Sequence, residues 1–379
     1  MKICCVCGAR PNFVKIAAVV EAMAAHHPTL RPLVVHTGQH HDQHLSKVMF
    51  EDLGLPRPDL NLGVGAGSQA AQTAEIMKRF ETAASEIAPD LVVVVGDVNS
   101  TLACSLTASK LGIPVAHIEA GLRSFDRSMP EEINRVVTDA LSDLLFVSER
   151  SGLANLRREG IPDERIFFVG NVMIDTLLRH RRKAAESRII DQLRLEPGRY
   201  AVLTLHRPGN VDDEPTLKRL VDILSDLQRE LPFVFPAHPR TQERLHRFGL
   251  TEVVKRLPGV HLIDPLGYLD FVKLMSESRV ILTDSGGIQE EATILRVPCL
   301  TLRENTERPV TLETGCNTLV GTDAVRVSVA WRRALAGSIA VSSPPERWDG
   351  RAGERIAQVL IRVATAGFPG KSPPDRTAP

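Results

Sequence analysis

The sequence predicts an α/β fold with two parallel sheets, and three observations carry this prediction. Short apolar runs of strand length alternate with longer segments of helical length along most of the chain. The run 91–95 is apolar at every position, which is typical of a parallel strand that is covered on both faces. A length of 379 residues suits two domains better than one compact core.

The first half of the chain contains a regular alternation of strands and helices. Pro11 suits a first helical position, and an apolar stripe in the helix that follows includes Ile16, Val19 and Met23. Because strands and helices alternate, the strands are expected to form one parallel sheet with right-handed crossovers. Strands are predicted at 2–7, 31–37, 91–95, 114–118 and 144–147, and further helices at 69–87, 100–111 and 131–142.

The alternation restarts in the second half of the chain. It follows a polar, arginine-rich segment at 173–198, which is interpreted as a helix and an interdomain connection. The two predicted domains are therefore 1–172 and 199–350. A last helix within 351–366 is expected to pack on the first domain, and the Pro-rich tail 367–379 is expected to be disordered. Strands are predicted at 202–205, 233–235, 260–263, 280–283 and 299–302, with a helix at 216–230.

Composition argues against several classes of protein. The chain has 46 basic and 46 acidic residues, whereas proteins that bind nucleic acid or anionic membranes usually carry a basic excess. No stretch is apolar over the length of a membrane span, and the N-terminal run leads into a turn rather than a cleavage site. The six scattered cysteines are interpreted as buried, reduced thiols, which fits the cytoplasm.

Two acidic residues of the first half follow predicted strands directly. Asp97 ends one apolar run, and Glu119 ends the next. If those strands are neighbours, the two carboxylates converge at the edge where open α/β sheets bind ligands. Carboxylates in such positions are candidates for acid/base catalysis. The structural alternative is that they form ion pairs with Arg10, Lys15 or Arg123.

Two other polar clusters have a simpler interpretation. Glu131 lies near the start of a helix, where the macrodipole alone favours an acidic residue. His40 and His41 suggest a metal ion. However, adjacent histidines on a short loop point apart, and no Glu-x-x-His motif accompanies them. We therefore predict no metal site.

In the second half, Asp284-Ser285-Gly286-Gly287 follows a strand and opens a helix. Ser285 suits the N-cap position. The paired glycines let a ligand approach the backbone, and the N-terminus of a helix favours an anion. Glu291 lies one turn further, where a carboxylate could accept hydrogen bonds from ribose hydroxyls. The sequence has no Walker loop and no Gly-x-Gly-x-x-Gly after its first strand, so a tightly held dinucleotide is not expected.

Basic residues follow two other strands of the second half. His206 and Arg207 come after one strand, and His238 comes after the next. Two histidines at equivalent strand ends, one of them beside an arginine, favour diphosphate binding, although a lone histidine is more often structural. Arg308 is a further candidate, with a solvated surface arginine as the alternative.

Taken together, these stretches resemble the non-hydrolysing UDP-N-acetylglucosamine 2-epimerases. The resemblance runs from residue 8 to about residue 322. It implies two Rossmann-like domains with parallel sheets facing a central cleft (the GT-B arrangement), and a cytoplasmic homodimer without an organic cofactor. The matching stretches are Gly8-Ala9-Arg10-Pro11, Gly96-Asp97, His117-Ile118-Glu119-Ala120-Gly121-Leu122-Arg123, Pro130-Glu131-Glu132-Ile133-Asn134-Arg135, Gly170-Asn171, His206-Arg207, Thr283-Asp284-Ser285-Gly286-Gly287-Ile288-Gln289-Glu290-Glu291-Ala292 and Thr306-Glu307-Arg308-Pro309.

The resemblance also implies roles for individual residues. In the second domain, it places the phosphates of UDP at Ser285, Gly286 and Gly287 and the ribose at Glu291. It places the diphosphate near His206 and Arg308, and the base near Phe271 and Leu266. In the first domain, it brings Arg10 and Lys15 to the nucleotide-sugar and identifies Asp97, Glu119 and Glu131 as catalytic carboxylates. His206 is also a candidate for a catalytic role.

The activity implied by the resemblance is the reversible interconversion of UDP-N-acetylglucosamine and UDP-N-acetylmannosamine, supplying a polysaccharide. Three alternatives are a hydrolysing epimerase, a GT-B glycosyltransferase and a nucleotide-sugar sensor without turnover. The substituents at carbons 3 and 6 of the sugar stay open. Gln39 matches the first of two allosteric glutamines found in some bacterial members, but Asp42 stands at the second position. Activation by substrate is therefore not expected.

Overall fold

The computed structural model describes residues 1–38, 52–54, 57–339 and 343–369, and of Arg10 it describes the backbone alone. The chain folds as two compact units. The first unit comprises Met1–Leu178 together with Glu346–Pro379, and the second comprises Arg179–Pro345.

The first unit is built on a seven-stranded parallel sheet. Its strands are β1 (Lys2–Cys7), β2 (Arg31–His36), β3 (Leu60–Asn61), β4 (Leu91–Val95), β5 (Val115–Ile118), β6 (Leu144–Val147) and β7 (Ile166–Phe168). They lie in the order β3-β2-β1-β4-β5-β6-β7, and all neighbours are parallel. The strand order reverses between β1 and β4, which is the switch point where sheets of this kind bind ligands.

Helices cover this sheet. They are α1 (Arg10–Ala24), α2 (Gln69–Ile87), α3 (Asn99–Lys110), α4 (Pro130–Leu141), α5 (Arg150–Arg158) and α6 (Val172–Ala185), the last of which continues into the second unit. Asn12 fixes the turn from β1 into α1. Its Oδ1 accepts the backbone N–H of Ala9 at 2.9 Å, and its Nδ2 donates to the carbonyl of Val95 at 2.9 Å. The ends of β1 and β4 are thereby tied together at the switch point.

The second unit contains a six-stranded parallel sheet with the same winding. Its strands are β8 (Ala201–Thr204), β9 (Phe233–Pro236), β10 (Val260–Ile263), β11 (Val280–Thr283), β12 (Cys299–Thr301) and β13 (Asn317–Leu319). They lie in the order β10-β9-β8-β11-β12-β13, and all neighbours are parallel. The switch point therefore lies between β8 and β11.

Nine helices of the described residues belong to the second unit. They are α7 (Ile189–Gln192), α8 (Pro208–Val211), α9 (Glu214–Leu227), α10 (Pro239–Arg247), α11 (Thr251–Lys255), α12 (Tyr268–Ser276), α13 (Gly286–Leu295), α14 (Pro309–Glu313) and α15 (Ala324–Leu335). Helix α15 packs against the sheet through the buried Trp331, whose ring stacks on Phe233 with centroids 5.1 Å apart.

The last described helix, α16 (Ala352–Ala366), returns to the first unit and packs on α1. Its start is anchored by Asp175, which accepts the backbone N–H groups of Ala352 at 3.1 Å and Gly353 at 2.7 Å. A side chain at Gly353 would lie 2.8 Å from the carbonyl oxygen of Ala18. Glycine therefore permits the close contact between the two helices.

The structure confirms the predicted fold class and corrects several boundaries by one to three residues. Three short strands, β3, β7 and β13, were not predicted. All three lie at an edge of their sheet, where strands are often short. Two or three residues are too few to show a periodic pattern. Residues 370–379 of the predicted disordered tail lie outside the described residues.

The prediction of reduced cysteines is confirmed. All six are free and buried. Burial, together with the charge of Asp59, raises the pKa of the Cys4 thiol to about 12. The thiol is therefore protonated at neutral pH and unreactive as a nucleophile.

Candidate functional site

The two candidate acids of the first unit follow adjacent strands. Strand β4 pairs with β5 in parallel, with Val95 opposite Ile118. Asp97 and Glu119 therefore lie at neighbouring strand ends, beside the switch point, which is the condition that the sequence hypothesis required. Lys15 comes from α1, which follows β1 on the other side of β4.

Glu119 has an unusual backbone and a partly unsatisfied side chain. Its φ is +71°, a left-handed conformation that non-glycine residues rarely adopt and that tends to occur at functional sites. The carboxylate is buried, and its Oε2 lies 2.5 Å from Nζ of Lys15. The structural alternative of an ion pair is thus realised. However, Oε1 is buried without a hydrogen-bond partner among the described residues, so the ion pair leaves one oxygen of the carboxylate unsatisfied.

Asp97 forms an ion pair with a buried arginine. Nη2 of Arg135 lies 2.6 Å from Oδ2 of Asp97, and the side chain of Arg135 is 2% exposed against 22% for Asp97. Nη1 of the same guanidinium contacts Glu132 at 2.5 Å. Arg135 therefore orients Asp97 and keeps its charge compensated while leaving it accessible.

Two other predicted residues of this unit are less defined. Glu131 is half-buried in the first turn of α4, where its charge also favours the helix. Arg10 begins α1, but its side chain lies outside the described residues.

A buried network that the sequence hypothesis did not include holds both strand ends. Nδ1 of His117 lies 2.6 Å from Oδ1 of Asp139, and its Nε2 lies 2.8 Å from the carbonyl oxygen of Gly96. The other oxygen of Asp139 accepts the N–H of Gly121 at 2.9 Å and contacts Arg123 at 2.7 Å. Burial alone would raise the pKa of Asp139, but the nearby charges of His117 and Arg123 lower it overall.

Both ring nitrogens of His117 have a partner. A carbonyl oxygen can only accept, so Nε2 donates to Gly96. The ring therefore connects the segments following β4 and β5 to Asp139 on α4. Nothing in the spacing of the sequence links His117 to Asp139, which lies on α4.

In the second unit, residues predicted to bind UDP follow four adjacent strands and therefore lie at one edge of the sheet. Strands β10, β9, β8 and β11 are neighbours in that order. The residues that follow them are Leu266, His238, His206 with Arg207, and Ser285. The structure therefore brings these predicted ligands of UDP together, on the side of the sheet where the strands end.

Asp284 joins the ends of β8 and β11. The carboxylate is fully buried and accepts the backbone N–H groups of His206 at 3.0 Å and Arg207 at 2.9 Å. Nδ1 of His206 lies 2.8 Å from Oδ1. Burial alone would raise the pKa of Asp284, but the charge and hydrogen bonds of His206 and the backbone bonds lower it to about 2. Asp284 is thus the support that orients His206.

His238 also has a structural role. It occupies the N-cap of α10, where Nδ1 accepts the N–H of Arg240 at 3.2 Å. Its ring lies 5.8 Å from that of His206. The two histidine rings lie close together, as the prediction of a histidine pair at equivalent strand ends requires. The capping hydrogen bond, however, is the kind of structural role that was the alternative for His238.

The turn before α13 has the features of an anion site. Ser285 is at the N-cap position, but its side chain makes no capping hydrogen bond, so the hydroxyl is not used by its own helix. Gly286 and Gly287 form the first turn. A side chain at Gly286 would clash with the guanidinium of Arg308. Glycine therefore lets a cation lie against the helix N-terminus, where anions bind.

Glu291 and Tyr268 form a buried pair on neighbouring helices. The hydroxyl of Tyr268, on α12, lies 3.1 Å from Oε1 of Glu291, on α13. Burial raises the pKa of Glu291 to about 7, against the opposing effect of the Tyr268 hydrogen bond. Phe271 follows on α12 and is half-buried. The sequence hypothesis missed Tyr268, because an apolar helix start gives no sign of its polar partner.

Arg308 is buried, so the alternative of a solvated surface arginine is wrong. Its Nε lies 2.8 Å from Oε1 of Glu290, and its Nη1 contacts Glu307.

The candidate metal histidines, His40 and His41, lie outside the described residues, as do Gln39 and Asp42. Among the residues that the structure describes, no helix is long and apolar enough to cross a membrane.

The doubly wound sheets, with polar residues at both switch points, place the chain among α/β proteins of the Rossmann type. Within that class, the chain belongs to the UDP-N-acetylglucosamine 2-epimerase family, whose model matches residues 22–361. It is 41% identical over 365 residues to the UDP-N-acetylglucosamine 2-epimerase of Methanocaldococcus jannaschii, covering 95% of this chain and 99% of the relative.

One further relative and one solved structure show how far the similarity extends. The UDP-2,3-diacetamido-2,3-dideoxy-D-glucuronate 2-epimerase of Pseudomonas aeruginosa is 40% identical over 366 residues, covering 96% of this chain and all of the relative (100%). The crystal structure of the M. jannaschii UDP-GlcNAc 2-epimerase in complex with UDP-GlcNAc and UDP superposes with a TM-score of 0.90 at 41% identity, covering 95% of this chain and 99% of that one.

Proposed function

We propose that this protein is a non-hydrolysing UDP-N-acetylglucosamine 2-epimerase. The observation that carries the proposal is the strained, buried Glu119 beside Asp97 at the switch point of the first unit. The family membership and the names of the relatives support the substrate. The first unit has acidic residues at its strand ends, and the second unit has basic residues at one edge of its sheet. This combination fits a reaction that transfers a proton and releases a diphosphate.

The chemistry explains why acids and cations are both needed. Carbon 2 of the sugar has no adjacent carbonyl, so its hydrogen is barely acidic. In the proposed reaction, the bond from carbon 1 to the diphosphate oxygen breaks and UDP leaves with the electron pair. A carboxylate takes the proton from carbon 2, and a double bond forms between carbons 1 and 2. UDP then adds back to carbon 1 while a proton reaches carbon 2 from the opposite face.

The residue roles follow from this reaction. Asp97, Glu119 and Glu131 are the proposed acid/base groups, and a buried carboxylate with one unsatisfied oxygen suits proton transfer. Lys15 and Arg10 are the proposed partners of the nucleotide-sugar. Their positive charge would stabilise the departing UDP.

The second unit is the proposed holder of UDP. We assign the phosphates to the turn before α13, the ribose to Glu291 and the base to the neighbourhood of Leu266 and Phe271. His206, Arg207, His238 and Arg308 would face the diphosphate, with a catalytic role for His206. A redox-neutral elimination and re-addition is balanced without an organic cofactor, and the family resemblance supports a cytoplasmic homodimer that supplies a polysaccharide.

The test is to incubate the protein with UDP-N-acetylglucosamine and identify the products by NMR. The expected product is UDP-N-acetylmannosamine with its diphosphate intact, at equilibrium with the starting sugar. Free N-acetylmannosamine and UDP as dominant products would select a hydrolysing epimerase. Loss of the nucleotide-sugar only with an added acceptor would select a glycosyltransferase, and binding without turnover would select a sensor.

A second candidate substrate is UDP-2,3-diacetamido-2,3-dideoxy-D-glucuronate. It is favoured by the 40% identity to the P. aeruginosa enzyme of that name, which is close to the 41% for the M. jannaschii enzyme. The two substrates differ at carbons 3 and 6, so parallel assays with both distinguish them. The higher kcat/KM identifies the preferred sugar.

A further inference from the structure

Glu307 is a buried carboxylate that gathers arginines at the edge of the second sheet. It precedes α14, and its side chain is 1% exposed. Oε2 lies 2.8 Å from Nη2 of Arg303, and Oε1 contacts Nη1 of Arg308. Oε1 also lies 3.8 Å from Nη2 of Arg207. Three guanidinium groups therefore converge on one carboxylate.

The same carboxylate lies beside the helix N-terminus that forms the candidate anion site. A side chain at Gly286 would fall 2.8 Å from Oε1 of Glu307 and would clash with Arg308. The guanidinium of Arg308 and the positive end of α13 thus lie together, although both are positive. A negative charge at Glu307 offsets that repulsion before any ligand is bound.

Glu290 supports the same guanidinium from the other side. Its Oε1 lies 2.8 Å from Nε of Arg308, and its side chain is fully buried. Two carboxylates therefore lie against two nitrogens of the Arg308 guanidinium, Glu307 as a hydrogen-bond acceptor and Glu290 as an ion-pair partner. Contacts on two sides restrict the position of an arginine more than a single ion pair does.

We propose that Glu307 is a positioning residue that fixes Arg308 and Arg207 for the diphosphate of the nucleotide before it binds. This inference rests on the proposed function, because it takes the anion at this edge to be the diphosphate of UDP. Glu307 itself does not touch the ligand. It lowers the cost of ordering the two arginines when UDP arrives, which is how preorganisation raises affinity.

The charge of Glu307 and its proposed positioning role predict opposite changes in UDP affinity for Glu307→Gln. The substitution removes a negative charge near a doubly anionic diphosphate, so charge alone would tighten UDP binding. If Glu307 positions the arginines, the substitution loosens them and UDP binding weakens. The sign of the change therefore distinguishes the two accounts.

The experiment is calorimetric titration of the full-length protein with UDP. We expect Glu307→Gln to weaken UDP binding about tenfold, which corresponds to about 1.4 kcal/mol. The matched control is Glu304→Gln, which removes the same charge from an exposed side chain that pairs with Arg326 and should leave UDP affinity unchanged. Equal or tighter binding of UDP by Glu307→Gln would overturn the proposal.

Binding of uridine distinguishes a loss of arginine positioning from a general disturbance of the second unit. Because uridine lacks the diphosphate, Glu307→Gln should bind it as the wild type does, as measured by NMR titration. A parallel loss for uridine and UDP would mean a merely structural role and would refute the proposal. If Glu307→Gln does not fold, Arg303→Gln replaces it, since it loosens Glu307 on the side away from Arg308. It should weaken UDP binding but not uridine binding, and unchanged UDP affinity would refute the proposal.

The outcome for the wild type separates this inference from the proposed function. If the wild type does not bind UDP, both are wrong. If it binds UDP and catalyses epimerisation while Glu307→Gln binds UDP unchanged, only the positioning role is wrong.

Discussion

The two sheets share one winding but carry opposite charges at their switch points. In the first unit, the accessible group is an acid supported by a buried base: Asp97 is 22% exposed, and Arg135 beneath it is 2% exposed. In the second unit, the accessible group is a base supported by a buried acid: His206 is 36% exposed, and Asp284 beneath it is fully buried. The two units therefore share a topology but present accessible side chains of opposite type, each held by a buried partner of the other type.

This difference assigns different work to the two units. A supported acid can accept or donate a proton at a defined position, whereas a supported basic side chain is held in place for a phosphate. The comparison therefore predicts that substitutions in the first unit impair turnover and that substitutions in the second unit impair UDP binding.

The largest expected effect is on turnover in the first unit. Asp97→Asn and Glu119→Gln each remove a proposed acid/base group, so kcat should fall by about a hundredfold to ten-thousandfold. The affinity for UDP, measured by calorimetry, should stay near that of the wild type. Glu75→Gln, which changes an exposed carboxylate paired with Arg79, is the control. Near-full activity of either site variant would show that its catalytic assignment is wrong.

A second large effect is expected from His117. His117→Ala removes the closest partner of the buried Asp139, which keeps its contact with Arg123, so the protein should lose about 1 to 3 kcal/mol of stability. The segments after β4 and β5 lose their anchor, so turnover should fall as well. Chemical denaturation and UDP calorimetry are the measurements, with the exposed His26→Ala as control. Unchanged stability, or loss of UDP binding without loss of turnover, would contradict the role of the network.

A pH-dependent effect is expected at Glu291. Burial raises its pKa from the ordinary value of 4.5 to about 7. Because the folded-state pKa is the higher one, its contribution to stability is fully present below about pH 4.5 and is lost as the pH rises through about 7. Glu291→Gln cannot ionise, so from pH 5 to pH 8 it should become more stable relative to the wild type, by at most about 3 kcal/mol.

Urea denaturation at both pH values measures this difference. Glu304→Gln, at an exposed site, should show no such trend. A stability difference between Glu291→Gln and the wild type that does not change with pH would mean that Glu291 has an ordinary pKa.

The smallest effect is expected at the turn before α13. Ser285→Ala removes a hydroxyl that its own helix does not use. If this hydroxyl donates to a phosphate as proposed, its loss should weaken UDP binding by about 1 kcal/mol, or roughly fivefold, with little change in stability. Ser338→Ala, at an exposed position, is the control. An unchanged affinity for UDP would remove Ser285 from the binding site.

Much of this arrangement could be predicted from sequence, because it depends on local pattern. The apolar run before Asp97 marks β4, and the residues after each strand of a parallel sheet must lie at one edge. The same logic brings His206 and Ser285 together, since both follow strands. The edge strands were missed, because their two or three residues carry no periodicity.

The supporting residues could not be predicted, because they depend on contacts between distant segments. Asp139 is 22 positions from His117, and Tyr268 is 23 positions from Glu291. No local pattern connects the members of such pairs. Glu307 belongs to the stretch Thr306-Glu307-Arg308-Pro309 that carries the family resemblance, but its contacts with three arginines depend on the path of the loop before α14.

The most direct test of the central claim is solvent exchange at carbon 2 of the sugar. The wild type is incubated with UDP-N-acetylglucosamine in deuterated water, and the recovered nucleotide-sugars are analysed by NMR and mass spectrometry. We predict one deuterium at carbon 2 of the epimerised product, and its loss in Asp97→Asn and Glu119→Gln. Epimerisation by the wild type without deuterium at carbon 2 would contradict proton transfer by these acids.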